Sequence, residues 1–193
     1  NSDGWQASFA FESAEFTDNS YDDGHVINFK IRHYQTFKNH NVLAQKIFLG
    51  LSYSDNSLFQ LGGVASDPYI GPGIKLKERR LSLRGFSDNE VELKGHNSFI
   101  YSAEYRLPFT WLDDGSMNPP IGLDGWSLRS FIDNGVVWDK GQSPDKLHSG
   151  IGIESIYDAN LVYTLKLRLR LGFAKGLGSE GKEEFYINFG GAF

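Results

Sequence analysis

The sequence predicts an all-β protein, an antiparallel β-barrel that crosses a membrane. Three observations predict it. Apolar residues recur at every second position along most of the chain. The opposite face of the same segments carries arginine and lysine, which suits lipid on one side and water or counter-charges on the other. No apolar run approaches the roughly 18 residues of a membrane helix, so strands are left to do the crossing.

Composition agrees. Of the 193 residues, 40% are hydrophobic, and mean hydropathy is only −0.37, because alternating strands average out. Twenty-two glycines and 15% aromatic residues favour strands and turns. The absence of cysteine excludes a disulfide scaffold and a thiolate metal site. A net charge of −5 leaves no basic footprint for nucleic acid. No signal peptide opens the chain, which starts on Asn1 and is expected to be a mature form or a piece of one.

The first strand is expected at 4–16, with Trp5, Ala7, Phe9 and Phe11 opposite Gln6, Ser8, Ala10 and Glu12. At 25–37, Ile27, Phe29 and Ile31 oppose Asn28, Lys30 and Arg32. At 42–53, Ile47, Leu49, Leu51 and Tyr53 oppose Lys46, Gly50 and Ser52, and a short strand follows at 57–62. Residues 98–110 set Phe99, Tyr101, Ala103, Tyr105, Leu107 and Phe109 against Ser102, Glu104 and Arg106. Residues 126–138 set Leu128 and Ile132 against Arg129, Phe131, Asp133 and Gly135. Residues 147–156 set Leu147, Ile151 and Ile153 against His148, Gly150, Gly152 and Glu154.

The sharpest alternation is at 161–174, a leucine ladder closing on Phe173 opposite Lys166, Arg168, Arg170 and Gly172. The last strand places Phe185, Ile187, Phe189, Gly191 and the terminal Phe193 on one face. A soluble β-sandwich also alternates, but Trp111, Trp126, Trp138 and Tyr157 cluster at strand ends as aromatic girdles do.

Turns are expected at 18–24, 54–57, 157–160 and 175–184. Two connections are long: 63–97, and 112–125 with its Pro119-Pro120.

Catalytic signatures fail on context. Gly176-Leu177-Gly178-Ser179-Glu180-Gly181 has the G-x-G-x-x-G spacing but sits between two strands, without a helix to meet phosphate, and reads as a hairpin. Asp18, Asn19, Ser20, Asp22 and Asp23 are out of register for an EF-hand and read as a polar turn. His25, His33, His40, His96 and His148 lack metal-ligand spacing, and no G-x-S-x-G elbow occurs. Lys75-x-Lys77-Glu78-Arg79-Arg80 reads as a solvated stretch of the long loop. No enzymatic activity, catalytic residue, metal or cofactor is expected.

The remaining motifs fall in a set order: Leu61-Gly62-Gly63, then Leu83-Arg84-Gly85-Phe86, then Ala103-Glu104-Tyr105-Arg106-Leu107-Pro108. Phe131-Ile132-Asp133-Asn134-Gly135, Gly150-Ile151-Gly152 and the terminal Phe193 follow. In this order the chain resembles the C-terminal part of the Omp85 superfamily, firmly from about residue 57 to 193. Those surface-antigen barrels insert or secrete β-proteins. Their marks are a Val/Leu-Arg-Gly-Phe/Tyr loop, an Ala-Glu-x-x-x-Pro strand, a Phe-x-Asp-x-Gly strand and a terminal aromatic residue.

The resemblance implies that 63–97 is a long extracellular loop folded back into the lumen, with Arg84 paired to Asp133 and Glu104. Alternation already puts both carboxylates on the inward face. Gly85 would let the loop turn or approach the wall, with Phe86 beside it. Phe185, Ile187, Phe189 and Phe193 would form the strand that assembly machinery recognises. The implied location is the bacterial outer membrane, and the implied partners are its lipids, that machinery and client proteins.

About nine strands are counted, while such barrels are even-numbered and reach about sixteen strands in this superfamily. Residues 1–193 are therefore expected to be a single barrel domain or the C-terminal portion of one. Two other functions fit the pattern: a barrel that anchors or exports a fused N-terminal enzyme, and a soluble β-sandwich binding module.

Overall fold

A computed structural model describes residues 3–14, 24–55, 57–64, 79–87, 93–110, 114–117, 120–161 and 165–191. The strands are β1 (Gly4–Ala14), β2 (Gly24–Thr36) and β3 (Val42–Ser52), then the short β4 (Phe59–Leu61), β5 (Arg80–Leu81) and β6 (Lys94–Gly95). After them come β7 (Asn97–Thr110), β8 (Asp114–Met117), β9 (Pro120–Trp138), β10 (His148–Leu161), β11 (Leu165–Leu177) and β12 (Glu183–Gly191). A 3-10 turn at Lys38–His40 links β2 to β3.

Eight long strands form one antiparallel wall in the order β1-β2-β3-β7-β9-β10-β11-β12, each neighbour following in sequence once the short elements are set aside. Among the described residues β1 and β12 are the wall's two edges, and they do not pair with each other. Outward positions carry exposed apolar side chains, among them Phe9, Phe29, Ile47, Ile132, Ile153, Phe173 and Ile187. Trp126 and Tyr157, paired across β9 and β10, stack with ring centroids 6.1 Å apart, and Phe109 stacks on Trp126 at 4.8 Å. Trp111 and Phe193 lie outside the described residues, as do Asp18, Asn19, Ser20, Asp22 and Asp23.

Three expectations about elements change. The strand near 57–62 exists as β4 but leaves the wall: it pairs with β5 and β6 in a separate three-stranded sheet between β3 and β7. That leaves eight wall strands among the described residues, an even number. The connection 112–125 is largely a β-ribbon, because β8 pairs with the start of β9 from Met117↔Pro120 to Asp114↔Leu123. The turn residues Tyr157-Asp158-Ala159-Asn160 instead run on inside β10, with a register irregularity between Asp158 and Ala159. Cross-strand partners override their turn preference: Arg168 donates to both Asp158 carboxylate oxygens (2.7 and 3.1 Å), and Asn160 donates to Asp124.

The small sheet fills one end of the wall's interior. Phe59, Leu61, Leu81, Leu83, Phe86 and Leu93 pack against inward Val26, Phe48, Ile100 and Val137 as one buried cluster. Glycines in the wall make room for this plug: a Cβ at Gly50 would come within 2.5 Å of the Phe59 ring, and one at Gly135 within 2.9 Å of Leu61 Cδ1. Arg79 is not a solvated loop residue. It pairs with Glu12 of β1 at 3.1 Å and lies over the Phe59 ring, whereas Arg80 is exposed. Lys75, Lys77 and Glu78 lie outside the described residues.

Phe59 is fully buried and faces a glycine that cannot refill its space, so truncation leaves a cavity. Phe59→Ala is expected to cost about 3–5 kcal/mol, loosening the plug before the wall. Limited proteolysis in detergent checks this: cleavage should appear within 63–97 while the wall strands stay protected. Unchanged protection of the loop would contradict this account of the plug.

Candidate functional site: a buried arginine on the wall

Register across the wall explains which inward side chains meet. One row of directly paired residues runs Lys46↔Ser102↔Asp133↔Gly150↔Gly176 across β3, β7, β9, β10 and β11. The next row runs Ala44↔Glu104↔Phe131↔Gly152↔Ala174. The third runs Arg106↔Arg129↔Glu154↔Gly172↔Tyr186 across β7 to β12. Three carboxylates from three strands thus lie on one patch, and the plug delivers Arg84 to it.

Arg84 is buried, as are Asp133 and Glu154, while Glu104 keeps modest exposure. The arginine Nε donates to Asp133 Oδ2 at 2.7 Å and Nη2 donates to Oδ1 at 2.9 Å, a bidentate fork. Its Nη1 donates to Glu154 Oε1 at 3.0 Å, and Nη2 lies 3.3 Å from Glu104 Oε1. The guanidinium also lies over the Phe131 ring, 3.5 Å from its centroid. Burial alone would lower the pKa of Arg84. The hydrogen bond and charge of Asp133, with the charges of Glu104 and Glu154, outweigh burial and raise it above the ordinary value.

The carboxylates have further supports. The Tyr186 hydroxyl donates to Glu154 Oε1 at 2.6 Å, tying the arginine's partner to β12. Arg106 donates to Glu104 Oε2 through Nε and Nη2, at 3.1 and 2.7 Å. Each aromatic ring lies over the glycine paired with it, Phe131 over Gly152 and Tyr186 over Gly172, so a Cβ at either glycine would strike the ring.

The loop backbone comes as close as the arginine does. Gly85 has φ +87°, which favours glycine. Its carbonyl accepts from Lys182 N at 2.9 Å, and a Cβ on it would collide with the backbone of Lys175 and Gly176. A Cβ at Gly150 would overlap the Arg84 carbonyl oxygen, and one at Gly176 the Gly85 carbonyl oxygen. The Leu61-Gly62-Gly63 segment runs beside the arginine loop, with Gly63 N donating to Phe86 O at 2.8 Å. Phe86 is buried and meets the His148 ring edge-on at 5.4 Å.

The structure therefore brings Arg84, Gly85, Phe86, Glu104 and Asp133 together. It adds Glu154, Tyr186 and Gly176, which no motif in the sequence joins to them, and gives Phe131 and Gly150 of the motif series a place against the arginine loop. The signal for Glu154 is its place in the inward series His148, Gly150, Gly152, Glu154; the alternation shows the face but not which strands lie within reach. The hairpin reading of 176–181 stands, with Gly181 N donating to Gly178 O across the turn. Phe185, Ile187 and Phe189 form the exposed outward face of β12, away from the arginine.

Breaking a buried ion pair by neutralising one partner costs about 3–5 kcal/mol, so Asp133→Asn should lower the denaturation midpoint in detergent markedly. Glu104→Gln should cost less, since Glu104 is partly hydrated and touches only one guanidinium nitrogen of Arg84. Arg84→Lys should resemble Arg84→Ala, because one ammonium cannot serve three carboxylates in the fork geometry. Equal midpoints for Asp133→Asn and Glu104→Gln would contradict this ranking.

No curated protein and no solved structure matches the chain. Residues 2–193 match the Omp85 superfamily domain, which extends the likeness to the strands ahead of residue 57. The chain belongs to the Omp85 superfamily.

Proposed function

We propose that this chain is barrel wall and plug of a bacterial outer-membrane protein that inserts or translocates other proteins, with Arg84, Glu104 and Asp133 anchoring the plug. The observation that carries the proposal is the guanidinium of Arg84, held on the inner wall by carboxylates from three strands. In an Omp85 barrel such a fastening fixes the 63–97 loop, read as extracellular, inside the lumen. Outer-membrane lipids would contact the exposed apolar face. A further support is that, among the described residues, β1 and β12 each have a neighbouring strand on one side alone. In hydrocarbon, edge N–H and C=O groups require partners, so the wall would close with further strands or against another chain. On this reading, residues 1–193 are a barrel domain or the C-terminal portion of one. The face of Phe185, Ile187 and Phe189, with Phe193 in its period, is what the assembly machinery would recognise.

The experiment is an outer-membrane assembly assay with a β-barrel client, comparing wild type with Arg84→Ala at matched membrane levels. The variant is expected to lose client insertion or secretion, or its own folded yield. Wild-type behaviour on both readouts would sink the proposal.

A further inference from the structure

The wall's interior below the plug holds a cavity of about 500 Å³, far more than the ~30 Å³ share of one water molecule. Six cationic side chains line it: Arg32, Lys46, Arg84, Arg106, Arg129 and Arg170. They face three carboxylates, those of Glu104, Asp133 and Glu154, an excess of three positive charges.

Two features make this excess more than a solvated face. Like charges sit directly opposite one another twice, Arg32 on Lys46 across β2 and β3, and Arg106 on Arg129 across β7 and β9. Directly opposed like charges destabilise a sheet, so each pair needs an anion nearby. Arg84 takes Asp133 and Glu154, and Glu104 is shared among three guanidinium groups. Arg129 is left with one contact to Glu104 at 3.8 Å and a buried Nε that has no hydrogen-bond partner. Among the described residues the Lys46 side chain forms no hydrogen bond or ion pair, and the Arg32 side chain bonds only to the Gln6 amide oxygen at 3.3 Å.

We propose that this cavity is a binding site for a compact multivalent oxyanion, a polyphosphate or polycarboxylate group, held between the Arg32–Lys46 pair and the Arg106–Arg129 pair. Guanidinium forks match either oxyanion geometry, and a cavity with low-dielectric walls concentrates the field of the cations. The site lies on the inner face, away from the apolar outer surface. It goes beyond the anchoring of the plug, since the groups that would hold the ligand are the two cation pairs rather than the Arg84–Asp133 fork.

The test uses the full chain purified in detergent, with tripolyphosphate and citrate as probes and sodium chloride held constant. Titration calorimetry should show saturable binding of at least one probe, and the preferred probe distinguishes phosphate from carboxylate. Lys46→Gln combined with Arg129→Gln should weaken binding at least tenfold. Lys46→Gln alone, at a side chain that makes no bond among the described residues, should fold normally and weaken it severalfold. Lys140→Gln, on an exposed turn outside the cavity, should leave it unchanged. Binding that is absent for both probes, undiminished in Lys46→Gln, or equally reduced in Lys140→Gln would overturn the proposal in favour of a lumen filled by mobile counterions.

Discussion

A guanidinium inside a protein wall has few tolerable surroundings, and that constraint organises this structure. Arg84 cannot be buried without carboxylates, and carboxylates cannot be buried without it. Each unpaired partner would face a desolvation cost of several kcal/mol. Asp133, Glu154 and Glu104 come from β9, β10 and β7, three successive strands of the wall. Their convergence depends on the register of two strand pairs, and a slip of one residue in either would turn a carboxylate outward. The ion cluster thus fixes plug position and also penalises misregister in the middle of the wall.

The same close contact requires empty space where side chains would stand. Arg84 and Gly85 lie against Gly150 and Gly176 with their carbonyl oxygens where Cβ atoms would be. Phe59 and Leu61 lie over Gly50 and Gly135. A sheet interior without side chains at these points gives up some strand propensity, and here the loss is offset by a plug that packs as a second layer. The aromatic pairs Phe131 over Gly152 and Tyr186 over Gly172 do the reverse, covering bare backbone with rings from the neighbouring strand. Charge and shape are therefore joint conditions: the fork on Asp133 forms only if the backbone can come this close.

Period-two alternation made most of the fold legible. It located every wall strand, although β9 begins at Pro120 where 126 was expected and β10 runs to Leu161 where 156 was expected, and it assigned Glu104 and Asp133 to the inner face. It failed where a local pattern competes with a distant partner. Residues 157–160 have turn composition, yet Arg168 and Asp124 hold them extended. Residues 59–61 have strand composition, yet their neighbours are Arg80, Leu81, Lys94 and Gly95 rather than a wall strand. The site was half legible for the same reason. The pairing of Arg84 with Asp133 and Glu104 came from the likeness of their motifs to the family's, and alternation showed only that both carboxylates face inward. Glu154 and Tyr186 join only through a register spanning β9 to β12, and no single segment contains that register.

The inner face divides along its length, and the division ties these features together. Toward one end most of its residues are apolar or small, Val26, Phe48, Ser98, Ile100 and Val137 with Gly50 and Gly135 between them, and Asn28, Lys30 and His148 are the polar exceptions in the same rows. The plug's own apolar core covers that end. Beyond it the inward positions become Lys46, Glu104, Arg106, Arg129, Glu154 and Arg170, and the enclosed space is a cavity instead of a packed core. Arg84 stands at the boundary, with Leu83 and Phe86 in the apolar cluster and its guanidinium among the charges. A side chain with a planar, permanently charged head suits that position, since it can present donors to the wet side while its neighbours stay dry. An uncharged residue there would leave Asp133 and Glu154 buried and unpaired, and the dry end would lose its fastening to the wall. Arg84 therefore links the apolar packing of the plug to the charged lumen beneath it.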